Sequence, residues 1–198
     1  MRTPQQTRST SSTDRMLDAT LALLGRGGLQ AVTVAAVARA AGASNGSLYH
    51  RFRDRTGLLV AAQDRALTVI EAATADAFRR ADGEPDDLRA IGLLVQAALG
   101  IFEAHRPAMR AFLVEGQGLE EFEERNVRSS HLLATTVVEW LVSRFGTARS
   151  DAEATYRILF ALGATNALFD DEQISPGALT GAALADAVTR ALVAVVRP

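Results

Sequence analysis

The chain has 198 residues, 48% of them hydrophobic, with 21 basic and 23 acidic side chains and a net charge of −2. That is enough for one large domain or two modest ones, each with a real core. There is no cysteine, which excludes disulfides and thiolate metal sites and points to a reducing compartment. The three histidines, His50, His105 and His131, lie too far apart for a local histidine metal motif, so no metal or cofactor is expected.

The first dozen residues, MRTPQQTRSTSS, read as a flexible polar tail, 1–12. They lack the apolar run of a signal peptide, and no stretch is long and apolar enough to span a bilayer. The expectation is a cytoplasmic protein without membrane contact. All 21 basic residues are arginine, so every cationic contact is a guanidinium fork. The charge is uneven: Met1 to Arg65 holds 9 arginines against 4 acids, a balance of +5, and the remainder 12 against 19, a balance of −7. A basic front and an acidic back suggest that the front meets a polyanion.

Nearly every segment reads as helix, with apolar positions recurring at three and four. The first helix is predicted from about Thr13 to Gly25, with Met16, Leu17, Thr20, Leu21 and Leu24 on its apolar face. The glycines of GRGGLQAV supply a turn. Thr33 is a suitable N-cap for a short helix, Val34 to Ala41, whose stripe is Val34, Val37, Ala38 and Ala41. Gly42 ends that helix. Ser44 caps the next, Asn45 to Arg51. Helix, short turn and helix make a helix-turn-helix layout.

Asp54 is predicted to cap a long helix from Arg55 to about Ala81, after which GEPDD breaks the chain. Further helices are predicted at about 88–104, 107–115, 120–145, 151–169 and 176–196. A Ser150–Glu153 capping box opens the fifth of these elements counted from Arg55, and Ser175 with Pro176 opens the last.

The stretch SNGSLYHRF, Ser44 to Phe52, places a glycine inside a short helix. Leu48 and Phe52 can share the core face, leaving Asn45, Ser47 and His50 outward or sideways. Gly46 is open to two readings: relief of a clash with the neighbouring helix, or close approach of a DNA backbone or base edge. The short donors and acceptors around it suit a groove.

Thr33 to Leu59, TVAAVARAAGASNGSLYHRFRDRTGLL, resembles the helix-turn-helix of the TetR (tetracycline-repressor-like) regulators. The residues that carry the likeness are Thr33, Ala41, Gly42, Ser44, Gly46, Tyr49, Phe52 and Arg55, in about the first quarter of the chain. The resemblance implies an all-α fold: a three-helix DNA-binding head, 13–58, and a larger helical ligand-binding and dimerisation domain, 59–198. It implies phosphate contacts from Thr33, Ser44, Tyr49 and Arg55, and base-edge contacts from Asn45, Ser47 and His50 in the major groove, with Gly46 between them. Tyr49 is expected to pack its ring inward and offer its hydroxyl outward. Arg55 opens a helix, where the dipole disfavours a cation, so its place calls for a reason such as a phosphate. Three residues depart from the usual pattern. Asn45 stands where relatives often have a basic residue or proline, and can pair with adenine. Ala43 stands where valine is frequent. Gly57 stands where glutamate is common, and is expected to loosen the helix start by about 1 kcal/mol relative to alanine.

In the back half, the small residues Ala161, Gly163, Ala164 and Ala167 lie in one predicted helix. Leu184, Val188, Ala191 and Val195 form a stripe in the last. Either the pair covers its own core or, as the resemblance implies, the last two helices form the homodimer that a palindromic operator requires. Val127, His131, Ala134, Val138, Leu141 and Phe145 are predicted to form one seam of the 120–145 helix. His131 is either a satisfied core histidine or a wall of the inducer cavity that the resemblance implies. Phe102, Phe112, Trp140, Phe160 and Asn166 are further lining candidates, each equally readable as packing, and Glu115 faces either a cation or solvent. A ligand bounded by these walls would be apolar or aromatic with few polar groups. The acidic run Glu120 to Arg125 reads as a solvated helix start.

The implied function is a ligand-responsive dimeric regulator, a repressor released from its operator by a small, largely apolar effector. An activator or an effector-independent regulator of the same family is the alternative, and beyond that an interaction protein without DNA binding. An enzyme lacks support: no cysteine, phosphate loop or nucleophile elbow is present, and the spacing of Glu115 and His131 does not make a pair.

Overall fold

A computed structural model describes residues 4–177 and 179–196, with no side-chain description for 4–11. Its regular elements are all helical: α1 (Pro4–Ala31), α2 (Val34–Ala41), α3 (Asn45–Phe52), α4 (Arg55–Asp82), α5 (Asp87–Ala104), α6 (Arg106–Met109), running on as a π-helical segment (Arg110–Glu115), α7 (Glu120–Phe145), α8 (Arg149–Leu168), α9 (Asp171–Ile174) and α10 (Gly181–Val196). The chain divides into two compact units, one of residues 1–68 and 107–126, the other of 69–106 and 127–198. The first differs from the expected 13–58 head: it extends along α4 and takes back the α6 segment and the start of α7.

The first unit is built on the face read from α1. Met16, Leu17, Thr20 and Leu24 are buried, and Thr20 hides its hydroxyl by donating to the Met16 carbonyl at 2.8 Å. They join Val37, Ala38 and Ala41 of α2, Leu48 and Phe52 of α3, and Leu58, Leu59 and Ala62 of α4 in one core. Ala108, Ala111, Phe112 and Phe122 close it from the returning segment. Helix α1 begins at Pro4, a residue pre-set for a first helical turn, where a polar tail through Ser12 was expected; residues 1–3 of that tail lie outside the described residues. Its helical geometry breaks at Gly27 and Gly28, within the expected turn.

The second unit packs α5 against α8 and α10, around Phe78, Ile91, Val95, Val138, Trp140, Leu141 and Leu192. Arg144 ties it together. It donates to the Ala81 carbonyl (2.8 Å), the Glu84 carbonyl (2.6 Å) and Asp87 (3.0 Å), closing the α4–α5 connection, with its guanidinium 5.4 Å from the Trp140 ring centre.

Three element starts differ from the sequence reading. The expected helix 107–115 is one α turn followed by a π register. The Ser150–Glu153 capping box does not form, because α8 starts earlier, at Arg149, with the Ala148 carbonyl accepting the Ala152 amide at 3.0 Å. Ser175 and Pro176 do not open the last helix: the Ser175 hydroxyl accepts the Gly177 amide (3.3 Å), and Thr180 caps α10 by accepting from Ala183 (3.2 Å). A separate turn, α9, carries its own Asp170–Gln173 capping box.

Candidate nucleic-acid interface and core cavity

Local chemistry fixes the α2–α3 layout. The Thr33 hydroxyl accepts the Ala36 amide at 3.1 Å and the Ser44 hydroxyl accepts the Ser47 amide at 3.1 Å, so each short helix has a side-chain cap. Gly42 lies in the left-handed region (φ 61°), and the next amide, of Ala43, returns to the Ala38 carbonyl at 2.9 Å. With Leu48 and Phe52 turned into the core, Thr33, Ser44, Asn45, Gly46, Ser47, Tyr49 and His50 are all exposed. The side chains of Asn45, Tyr49 and His50 have no hydrogen-bond partner among the described residues, while the Ser47 hydroxyl meets that of Ser44 at 2.9 Å. The result is an outward row of short polar groups on a helix anchored from behind.

Gly46 faces open space: a Cβ there would meet nothing nearer than the Ser44 hydroxyl at 3.8 Å. Nothing in the fold therefore requires glycine, and helix propensity opposes it. Of its two readings, clash relief inside the protein is removed.

Two expectations in this region are corrected. Tyr49 does not pack its ring inward: it is 54% exposed, because the core beneath α3 is filled by Leu48 and Phe52. Arg55 has an intramolecular reason for its place. Its Nε donates to the Val32 carbonyl at 2.6 Å and its Nη2 to the Leu29 carbonyl, engaging carbonyls at the end of α1 and in the α1–α2 link. Gly57 is also more than a loosened helix start. A Cβ there would run into the Phe52 carbonyl, so alanine's higher propensity is not available at this site. The Asp54 cap forms as read, accepting the Gly57 amide at 2.8 Å.

Residues 16–62 match the family model described as bacterial regulatory proteins, tetR family. Over that segment, about a quarter of the chain, the protein matches the tetR family. Among curated relatives, it is 48% identical over 48 residues to the HTH-type transcriptional regulator BetI of Proteus mirabilis, covering 24% of each chain. It is 44% identical over 71 residues to the HTH-type transcriptional repressor KstR of Mycolicibacterium smegmatis, covering 36% of this chain and 34% of that one. The match thus spans about a quarter to a third of these relatives' length. The fold extends further: a solved transcriptional regulator from Rhodococcus sp. Rha1 superimposes with a TM-score of 0.76 at 22% identity, over 93% of this chain and 96% of that one.

The second unit lines a partly open apolar cavity of about 70 Å³. Its walls come from α4 (Thr74, Ala77, Phe78), α5 (Ile91, Leu94, Val95, Ala98), α7 (Val137, Trp140, Leu141), α8 (Thr155, Leu159) and α10 (Leu192, Val196). Two of the three polar side chains on its wall are already engaged. The Thr155 hydroxyl donates to the Asp151 carbonyl at 2.8 Å, and the Trp140 indole N–H to Asp82 at 2.5 Å. A guest would meet hydrocarbon and aromatic surface, so a charged guest would lose its hydration without compensation.

Of the residues read as lining a ligand site, the structure brings only Trp140 to this cavity. Phe112 packs edge-on against Phe122 at 5.3 Å between ring centres in the first unit. Glu115, in the same unit, accepts the Leu29 amide at 2.8 Å. Phe102 and Phe160 form an edge-on pair at 5.8 Å, and Phe102 covers Gly163, which removes that glycine from the expected small-residue contact. The Asn166 carbonyl accepts from Arg106 at 2.7 Å. His131 is exposed, and so is Val127 at 50%: the predicted α7 seam is buried only toward its end, at Val138 and Leu141. The cavity's aliphatic walls on α5 carried no polar signal that would single them out from ordinary core.

Proposed function

We propose that the protein is a dimeric transcriptional repressor that reads a two-fold-symmetric operator with α3 and releases it when a small, uncharged, largely apolar effector enters the second unit. The observation that carries the DNA reading is Gly46: a residue unfavourable in a helix, with no contact that needs it, in the middle of an exposed polar row. Asn45, Ser47 and His50 would face base edges in the major groove. Thr33, Ser44 and Tyr49 would hold phosphates and set register. Two such heads bind half-sites about one helical turn apart.

The second copy would dock on α8 and α10. Ile158, Ala161 and Phe169 are exposed on α8 and just beyond it, and Ala183, Ala187, Ala191 and Ala194 form an exposed small-residue face on α10. Small residues allow two helices to approach closely, and a two-fold interface uses the same patch twice. Effector entry would be coupled to the heads through α4, which carries residues of both units.

Binding to the DNA flanking the protein's own gene, followed by anisotropy across a salt series, tests the reading. A specific site bound tightly by the wild type, and at least tenfold more weakly by Asn45→Ala and His50→Ala, supports it. Equal affinity for operator candidates from a genome-wide selection and for random duplex would overturn it. Trp140 is the only tryptophan and lines the cavity. Its emission therefore reports effector candidates, and those that shift it should also release operator.

A further inference from the structure

The turn joining α3 to α4 has an unusual backbone. Arg53 sits at φ 70° and ψ −50°, the one non-glycine residue with positive φ among the described residues. Its amide still closes the last turn of α3, donating to the Tyr49 carbonyl at 2.9 Å, and the next amide, of Asp54, donates to the Phe52 carbonyl at 2.9 Å. That is a classic γ-turn, a rare and strained one. The turn aims the Phe52 carbonyl at the Cα of Gly57, where a side chain would collide with it. Two residues thus hold one strained turn in place: an arginine in a conformation better suited to glycine, and a glycine in a helical first turn where alanine would be favoured.

The turn leaves an arginine side chain one turn beyond Tyr49, at the carboxyl end of the reading helix. Arg53 is exposed and has no hydrogen bond, ion pair or ring contact from its side chain among the described residues. Its neighbours differ. Arg55 is engaged by the Val32 and Leu29 carbonyls, and Arg51 donates to Thr13. Arg65 pairs with Asp14 and Asp18, each at 2.8 Å.

We propose that Arg53, rather than Arg55, supplies the backbone-phosphate contact at the carboxyl end of α3, and that Arg55 acts as a structural clamp on the end of α1. Strain at a non-glycine residue persists where function selects it, and a free guanidinium beside a reading helix is a bidentate phosphate ligand. The inference rests on the DNA-binding reading of α3.

The test compares wild type, Arg53→Gly, Arg53→Lys and Arg55→Gln, as full-length proteins, by anisotropy on a labelled duplex from 50 to about 300 mM salt, with melting curves for each. Glycine suits the turn, so Arg53→Gly folds and melts at or above the wild-type temperature. Its log affinity against log salt should be shallower by about 0.9 per lost contact, or about 1.8 for a dimer. Arg53→Lys keeps most of the slope. Arg55→Gln melts lower while its folded fraction keeps the wild-type slope. An Arg53→Gly slope equal to that of wild type, with a flattened slope in Arg55→Gln, overturns the assignment and leaves the DNA reading intact. A wild type with no salt-dependent binding to any duplex overturns both.

Discussion

The carboxylate of Glu115 accepts the backbone amide of Leu29 at 2.8 Å, across 86 residues of sequence. Its oxygens also occupy the space a Gly28 side chain would need, and Gly28 itself sits at φ 61°. The break in α1 and the end of the π-helical segment are therefore fitted to one another. Removing the carboxylate by Glu115→Ala leaves the Leu29 amide to water. The site is partly exposed, so a loss of about 1 kcal/mol is expected, read as a lower urea midpoint. Gly28→Ala combines an unfavourable φ with the collision and should cost more, about 1–3 kcal/mol. A Glu115→Ala variant as stable as wild type would show that the contact contributes nothing.

Gly46 separates stability from binding. Alanine there meets only open space, so Gly46→Ala should stabilise the isolated protein by up to about 1 kcal/mol. The same methyl group projects from the exposed polar row toward the proposed groove. Operator affinity should fall by about tenfold, about 1.4 kcal/mol, while the salt slope stays unchanged because no phosphate contact is removed. Melting curves and anisotropy on the same preparations check both halves. Unchanged operator affinity would remove the DNA rationale for this glycine.

Much of the reading head was legible because its signals are local. A Thr33 or Ser44 cap reaches three residues along the chain, and Gly42 acts on its own φ, so sequence spacing and structure coincide there. Arg55 was not legible, since its partners lie 23 and 26 residues upstream and nothing in the spacing marks the Val32 and Leu29 carbonyls as acceptors for a guanidinium. Gly57 was misread for a related reason: its limit is the Phe52 carbonyl, placed there by the backbone of Arg53. In α7 the period was read correctly but the face was not. Val127 and His131 share a seam with Val138 and Leu141, yet burial along that seam depends on which neighbours cover each end. The Ser150 signal failed because helix starts compete, and α8 starts first from the Ala148 carbonyl.

His105, at the end of α5, is half-buried, and burial pushes its imidazole below the usual histidine value. The neutral form is thus favoured by folding. The contribution is fully present above the unfolded pKa of about 6.5 and is lost as pH falls through the lower folded value. His105→Gln, neutral at every pH, should lose less stability than wild type between about pH 7.5 and 5. Urea midpoints at the two pH values decide it: equal acid sensitivity in the two proteins would mean that other groups carry the effect.

The cavity makes a claim that needs no knowledge of the natural effector. At about 70 Å³, with largely apolar walls and two of its three polar side chains engaged, it should be dry, as apolar cavities are. It is smaller than the engineered cavity of about 150 Å³ that accepts benzene or xenon, so a monatomic probe is the suitable guest. Xenon under pressure should quench the emission of Trp140 through the heavy-atom effect, since that ring forms part of the wall. Ala98 also lines the space. Ala98→Leu would fill it from α5 and leave the α7 wall in place, so quenching of the buried Trp140 ring should largely disappear. Quenching that is unchanged in Ala98→Leu would mean that xenon reaches the ring from outside. The proposed effector site would then have to lie elsewhere in the second unit.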